Sequence, residues 1–362
     1  MKALIIGGTG PTGPYVIEGL IERGYQVSIL HRGFHEVDLP RQVQHIHCDP
    51  NFTETLEPAL SGCTYDLAIV MYGRLRLVAQ VLRGKANRLI SVGGITVYKG
   101  FIDWNPDQSM VIPTPENAPL HDTPDANKIS FRMVKAEWAV MEGHQEGYYQ
   151  ATHFRYPRIY GPRQPIPLEW SIIRRILDGR RQLILPEGGL SITSRGFAKN
   201  MAHALLLAVD KPKESSGQIY NVRDETLLTL RDWVNIISRK MNHQFEFVEM
   251  PYSLAYPAWP YANYFQHRVV DISKIQRNLG YSDLVPTVKA IESTVSWYLE
   301  NRPTIGSNIE EQLEDHFDYA AEDRLIRKFV EASNQIKELV PPRSDKRSYA
   351  GPKQSTKAGF KS

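Results

Sequence analysis

The chain has 362 residues, 42% of them hydrophobic and 23% charged, with a formal net charge of +3. That length allows two domains, and that apolar content supports a packed core and excludes a disordered chain. Between residues 340 and 362 six cations (Arg343, Lys346, Arg347, Lys353, Lys357, Lys361) face Asp345 alone, so the body is net negative, which speaks against a nucleic-acid-binding fold.

In chain order, Ala3-Leu4-Ile5-Ile6 reads as a buried strand. Gly7-Gly8-Thr9-Gly10-Pro11-Thr12-Gly13 then forms a glycine-rich turn into a helix from Pro14 to Arg23, with Gly24 beyond as a C-cap. Glycines let backbone amides approach a pyrophosphate, and the helix N-terminus favours its charge. Gly7, Thr9, Gly10, Pro11, Thr12 and Gly13 are therefore candidate dinucleotide contacts.

Tyr25–Leu30 alternates as a second strand and is followed by His31 and Arg32 with no acid. An acid there would bind the ribose 2′-hydroxyl, whereas Arg accommodates a 2′-phosphate, so NADP is favoured over NAD. Val43–Cys48 is a third strand closed by Asp49 and Pro50. His45 and His47 share a face of it, but with no second ligand cluster elsewhere in the sequence no metal is expected. Leu67–Met71, followed by Tyr72, is a fourth strand, Leu75–Leu82 a helix and Arg88–Val92 a fifth strand. Asp49, Pro50 and Tyr72 join His31 and Arg32 as candidate cofactor contacts at strand ends. The alternation predicts an α/β fold with a doubly wound parallel sheet.

Three segments carry a resemblance: GGTGPTG at 7–13, ISVGGITVY at 90–98 and YPRIYGP at 156–162. In order and content they resemble the extended short-chain dehydrogenase/reductase superfamily of nucleotide-sugar epimerases and dehydratases, and DISKIQRNLGY at 271–281 resembles its C-terminal lobe helix. The resemblance spans about residues 1–300. It implies a Rossmann domain over residues 1–165, completed around 198–225, and a smaller interleaved substrate lobe over 166–300. It also implies cofactor contacts from Tyr156, Pro157 and Ile159, substrate contacts from Tyr160, Trp170 and Arg195, and a homodimer through the helix Ile129–Gly143.

The family's chemistry uses a Ser or Thr and the pair of a Tyr-x-x-x-Lys helix, the Tyr moving a proton while Lys holds the ribose. Here Lys135 matches, but Phe131 stands at the Tyr position and Gly94 at the Ser position. Ser91 and Thr96 lie outside the register, and Tyr349 with Lys353 is a chance match in the tail. Tyr98, Tyr160, His121 and Asp122 are candidate substitutes on loops at strand ends.

In the lobe, Ser171–Leu177 and Ala198–Val209 read as helices, Gln182–Leu185, Gly217–Val222 and Phe245–Met250 as strands, and Thr229 caps a helix through Met241. The aromatics Tyr252, Tyr256, Trp259, Tyr261, Tyr264 and Phe265 suggest a more apolar substrate than a sugar nucleotide. Residues 301–339 are a helical extension over the Rossmann domain or a partner subunit, and 340–362 a disordered basic tail. Two cysteines, no signal-like start and no run of ~20 apolar residues indicate a cytoplasmic chain with no membrane partner. Three readings stay open: an NADP-dependent oxidoreductase acting on a small, partly apolar oxygenated molecule; a non-redox isomerase, dehydratase or lyase; and a non-catalytic NADP-binding sensor.

Overall fold

The computed structural model of the protein describes residues 1–34, 37–102, 110–124, 127–255 and 266–341. Its strands are β1 (Lys2–Ile6), β2 (Gln26–His31), β3 (Gln44–His47), β4 (Tyr65–Val70), β5 (Ala86–Gly94), β6 (Gln150–Tyr156), β7 (Arg158–Tyr160), β8 (Gln182–Pro186), β9 (Arg195–Phe197), β10 (Gln218–Asn221) and β11 (Glu246–Met250). Seven of them form one parallel sheet in the order β10-β6-β5-β4-β1-β2-β3. The winding reverses between β1 and β4, the kind of crevice in which doubly wound sheets bind ligands. β1 explains its central place: Ala3, Leu4, Ile5 and Ile6 are all fully buried, as a strand covered on both faces must be.

Helices α1 (Gly13–Glu22), α2 (Thr53–Ala59), α3 (Leu75–Val81), α4 (Lys128–Gln145), α5 (Leu168–Leu177) and α6 (Ala198–Asp210) follow in order. α1 and α6 share one core with Ile5, Ile29 and Phe154. α2, α3 and α4 share the opposite core with Leu4, Ile6 and Leu89. α1 meets α6 closely at Gly19, where a Cβ would stand 2.3 Å from Leu206 Cδ1. α4 begins at Asn127, whose Oδ1 accepts from the Ile129 and Ser130 amides at 3.0 and 3.2 Å, a side-chain cap on otherwise orphaned donors.

The chain also contains α7 (Pro212–Ser215), α8 (Leu230–Lys240), α9 (Tyr252–Ala255), α10 (Ser273–Leu279), α11 (Thr287–Glu300) and α12 (Asn308–Gln312), and the parallel pairs β7–β9 and β8–β11. A third core holds Tyr160, Trp170, Trp233, Ile291 and Tyr298, while Ile275 and Leu279 of α10 join the core of α1 and α6. Thr229 and Asp232 close the expected capping box on α8. The helix predicted from Ser171 starts three residues earlier, at Leu168, because Pro167 serves as its N-cap and Trp170 belongs to its buried face. The short strands β7 and β9 have no alternation long enough to read. The chain divides into two compact units, Met1–Phe317 and Asp318–Ser362. The second contains α13 (Tyr319–Lys337), where the Asp318 side chain accepts from the Ala321 amide at 2.9 Å. Tyr256, Trp259, Tyr261, Tyr264 and Phe265 lie outside the described residues, as does the tail from 342. Among the described residues no helix is long and apolar enough to cross a membrane.

Beneath the sheet lies a polar knot. Arg155 of β6 donates from Nε and Nη2 to Glu137 of α4 at 2.8 and 2.7 Å, and both side chains are 2% exposed. Arg155 Nη1 also donates to Tyr98 Oη (2.6 Å) and to the Glu116 carbonyl (2.8 Å). Burial alone would lower the Arg155 pKa, but the bonds to Glu137 outweigh it and hold the guanidinium charged. His153, bonded to Ser91 Oγ at 2.8 Å, is pushed down to about 4 by burial against the opposing pull of Glu137.

Removing one partner of a buried pair strands the other, so Glu137→Ala should lose about 3–5 kcal/mol in urea unfolding. His153 is neutral when folded down to about pH 4 but takes a proton near pH 6.5 when unfolded. Its contribution is therefore present above pH 6.5 and is lost as pH falls toward 4, by about 3 kcal/mol at most. Asp283, raised to about 7 by burial and then by Asp224, acts in the opposite sense. The comparison with His153→Gln isolates the histidine: the variant should show a flatter loss of unfolding free energy over that window.

Candidate functional site

The C-terminal ends of β1 to β6 gather most of the residues singled out from sequence. Gly7 takes φ +92°, and a Cβ there would stand 2.3 Å from Tyr72 Cβ, so the turn needs glycine on both backbone and contact grounds. A Cβ on Gly13 would collide with the Gly8 carbonyl oxygen at 2.0 Å. Gly10 is different: its Cβ would meet nothing within 4 Å. Open space thus lies beside Gly10 at the start of α1, where Thr12 is the N-cap but makes no side-chain cap bond. The Thr12 hydroxyl instead reaches Met71 Sδ at 3.6 Å. An uncapped helix start beside free space suits an anionic ligand, so the turn fits a dinucleotide pyrophosphate.

Arg32 is exposed, its guanidinium 5.2 Å from the Phe34 ring centroid and 5.3 Å from that of Tyr72. The structure thus places Arg32 beside Tyr72. Asp49 Oδ1 accepts from the Asn51 amide at 3.0 Å and side chain at 2.7 Å, and Pro50 packs where a Cβ on Gly73 would be, at 3.0 Å. Sequence reading missed Gly73, at φ +93°, and the Arg74 guanidinium over Phe52 at 5.3 Å. A glycine just after the fourth strand was the available signal.

His31 departs from its expected role as a cofactor contact. It is 4% exposed, its Nδ1 accepts from the Gly33 amide at 3.2 Å, and its Nε2 lies 2.9 Å from His45 Nδ1. The strand register turns the ring toward β3, where His45 and His47 share its face.

The reaction centre of the family maps to the β5 end and α4. Gly94 pairs in register with Tyr156, followed by buried Pro157 and half-buried Ile159. A Cβ on Gly94 would lie 2.8 Å from Met133 Cε, 3.6 Å from Thr96 Oγ1 and 3.7 Å from the Tyr156 carbonyl oxygen. The Thr96 hydroxyl, out of register in sequence, thus stands close to where a serine side chain would begin. It is half-buried and bonds Met133 Sδ at 3.4 Å. Exposed Lys135 holds its ammonium 5.1 Å from the centre of the Phe131 ring.

The tyrosines offered as substitute acids are spent elsewhere. Tyr98 is 1% exposed, donates to Asn221 Oδ1 at 2.7 Å, and is pushed up to about 12 by burial in spite of Arg155. Tyr156, a candidate cofactor contact, donates its hydroxyl to the Met201 carbonyl at 2.8 Å. Tyr160 donates to Asp224 Oδ2 at 2.7 Å and is raised well above the phenol range by burial. Asp122 pairs with Lys99 at 3.1 Å, and His121 is buried beside the Val97 carbonyl. Trp170 is 2% exposed with Nε1 on Glu310 Oε1 at 2.9 Å, which makes it lobe core and not a substrate contact. Arg195 is 9% exposed, 3.3 Å from Glu169 Oε1 and 4.1 Å above the Trp233 ring.

A parallel sheet wound both ways, with a glycine turn between its first strand and helix, is the frame of the dinucleotide-binding folds. A model of the NAD dependent epimerase/dehydratase family matches residues 3–222, and the chain belongs to that family. Sterol-4-alpha-carboxylate 3-dehydrogenase, decarboxylating, of Mus musculus is 22% identical over 280 residues, 70% of this chain and 73% of that protein. The uncharacterized protein YbjS of Escherichia coli (strain K12) is 24% identical over 167 residues, 40% of this chain. That match spans 49% of YbjS, about half its length. UDP-glucose 4-epimerase of Thermotoga maritima, solved with UDP-glucose, superposes with a TM-score of 0.69 at 18% identity, covering 84% of this chain and 100% of that one. DesIV, a dTDP-glucose 4,6-dehydratase of Streptomyces venezuelae solved with NAD and TYD, gives 0.65 at 19%, covering 83% and 98%.

The two turn glycines should separate in stability measurements. Gly13→Ala should cost about 1–3 kcal/mol in chemical denaturation through its clash with Gly8, whereas Gly10→Ala should stay within about 0.5 kcal/mol of the parent.

Proposed function

We propose that the protein is an NADP-dependent oxidoreductase of its family, acting on a small, partly apolar oxygenated molecule. The observation that carries this reading is the glycine turn: unfilled space beside Gly10 meets the uncapped start of α1. Arg32, exposed at the end of β2 where an acid is lacking, supports preference for the 2′-phosphorylated cofactor. Bound NADPH would supply hydride.

The chain's own residues do the rest. The turn amides and α1 hold the pyrophosphate, Arg32 the 2′-phosphate, and Lys135 the nicotinamide ribose. Thr96, whose hydroxyl lies near the point that Gly94 leaves without a side chain, donates a hydrogen bond to the reacting oxygen. With Phe131 lacking a hydroxyl, the Lys135 ammonium above its ring delivers the proton, directly or through a water. Arg195, engaged by Glu169 and Trp233, supports a substrate without a diphosphate for it to clamp. A relative named for oxidation of a sterol carboxylate is in keeping with an apolar oxygenated substrate. α4, with Ile129 and Trp138 exposed at 64% and 46%, is the proposed homodimer surface.

Fluorescence titration should show NADPH binding at least about tenfold tighter than NADH, with Arg32→Asp removing that preference. Equal affinity of the parent for the two cofactors would overturn the NADP assignment. Against a panel of carbonyl compounds, Lys135→Met should lower NADPH oxidation by about 100-fold or more, and Thr96→Val by a smaller factor. Substrate conversion without net cofactor change would point to a non-redox enzyme, and binding with no turnover to a sensor.

A further inference from the structure

β2 and β3 run parallel with His31 opposite His47 and Ile29 opposite His45. Residues facing one another across a ladder, and those two apart along a strand, share a face, so His31, His45 and His47 converge on one side of the sheet edge. One ring nitrogen of each lies within 4.8 Å of those of the other two. The ring centroids are 5.1 Å (His31–His45), 4.7 Å (His31–His47) and 6.2 Å (His45–His47) apart. We propose that this trio is a binding site for one divalent transition-metal ion of the zinc type.

Three imidazoles are a donor set that suits Zn²⁺, Cu²⁺ and Ni²⁺. With zinc they leave the fourth tetrahedral position to water or an outside ligand. Bonds of about 2.0–2.1 Å place tetrahedral donor nitrogens about 3.3–3.4 Å apart. The His31–His45 nitrogens, now at 2.9 Å, need to open by a few tenths of an ångström, and the others to close from within 4.8 Å. His45 and His47 are exposed, so their rings can turn to do this, while buried His31 fixes the site against the sheet.

The protons balance simply. The Gly33 amide donates to His31 Nδ1, which leaves the proton on Nε2, directed at His45 Nδ1. The ion takes the place of that shared proton. His31 then carries its proton on Nδ1 and gives up the 3.2 Å bond from Gly33. The inference does not depend on the NADP reading, since its donors are the three histidines of β2 and β3 and it is measured without nucleotide.

The test uses untagged full-length protein, stripped with a chelator and titrated with zinc chloride by calorimetry near pH 7.5, about one unit above the usual imidazole value. The expected result is one ion per chain, at least about tenfold weaker in His45→Gln and in His47→Gln. Both residues are exposed, so the variants should fold, as circular dichroism would verify. Substoichiometric binding, or binding unchanged by both substitutions, overturns the proposal. So does zinc that persists in the double variant and is lost in Cys48→Ser, which would assign the ion to the thiol.

Discussion

The bidentate contact between Arg155 and Glu137 sets the rest of the molecule. It joins the strand β6 to the helix α4 in the dry space between them, and its spare donors reach Tyr98 and the Glu116 carbonyl. Ion pairs so deeply buried contribute less to net stability than their geometry suggests, because desolvation offsets their attraction. Their effect is to permit one arrangement and to exclude its neighbours, since a slip of α4 by a residue would leave a charge unpaired. Phe131, Met133 and Lys135 sit on the same helix, within two turns of Glu137. The register of that helix against the sheet is therefore constrained by the same pair.

The upper end of the sheet is arranged on a different principle. There the chain removes side chains: at Gly7 and Gly13 a Cβ would collide, at Gly73 the φ of +93° and close Pro50 leave little room for one, and at Gly10 it would meet nothing but space. Gly7 and Gly13 shape the turn, Gly73 the bend after β4, and Gly10 leaves room beside the turn. Arg32 lies near the rings of Phe34 and Tyr72, and among the described residues no carboxylate is paired with it.

Much of this was legible from the residues. The run Ala3–Ile6, the glycine turn and the alternating strands announce a doubly wound sheet because burial on both faces and tight turns restrict residue choice strongly. The capping box at Thr229 is equally local. What could not be read depends on contacts distant in sequence. The hydroxyl of Tyr98 looks available on a loop, yet it is taken by Asn221, 123 residues later. Trp170 looks like a substrate platform until Glu310, 140 residues on, closes over its Nε1. The same holds for the histidines: His45 and His47 form a pair in sequence, and only the β2–β3 register supplies His31. Thr96 was set aside for being two positions out of register, but the 3-10 turn Ile95–Val97 returns its side chain toward the gap.

The methyl group of Met133 lies 2.8 Å from the point where a side chain on Gly94 would begin. That couples position 94 to the helix: a side chain introduced there would meet an occupied place and could enter only if the far end of Met133 turned aside. A change at either of the two positions is therefore felt at the other.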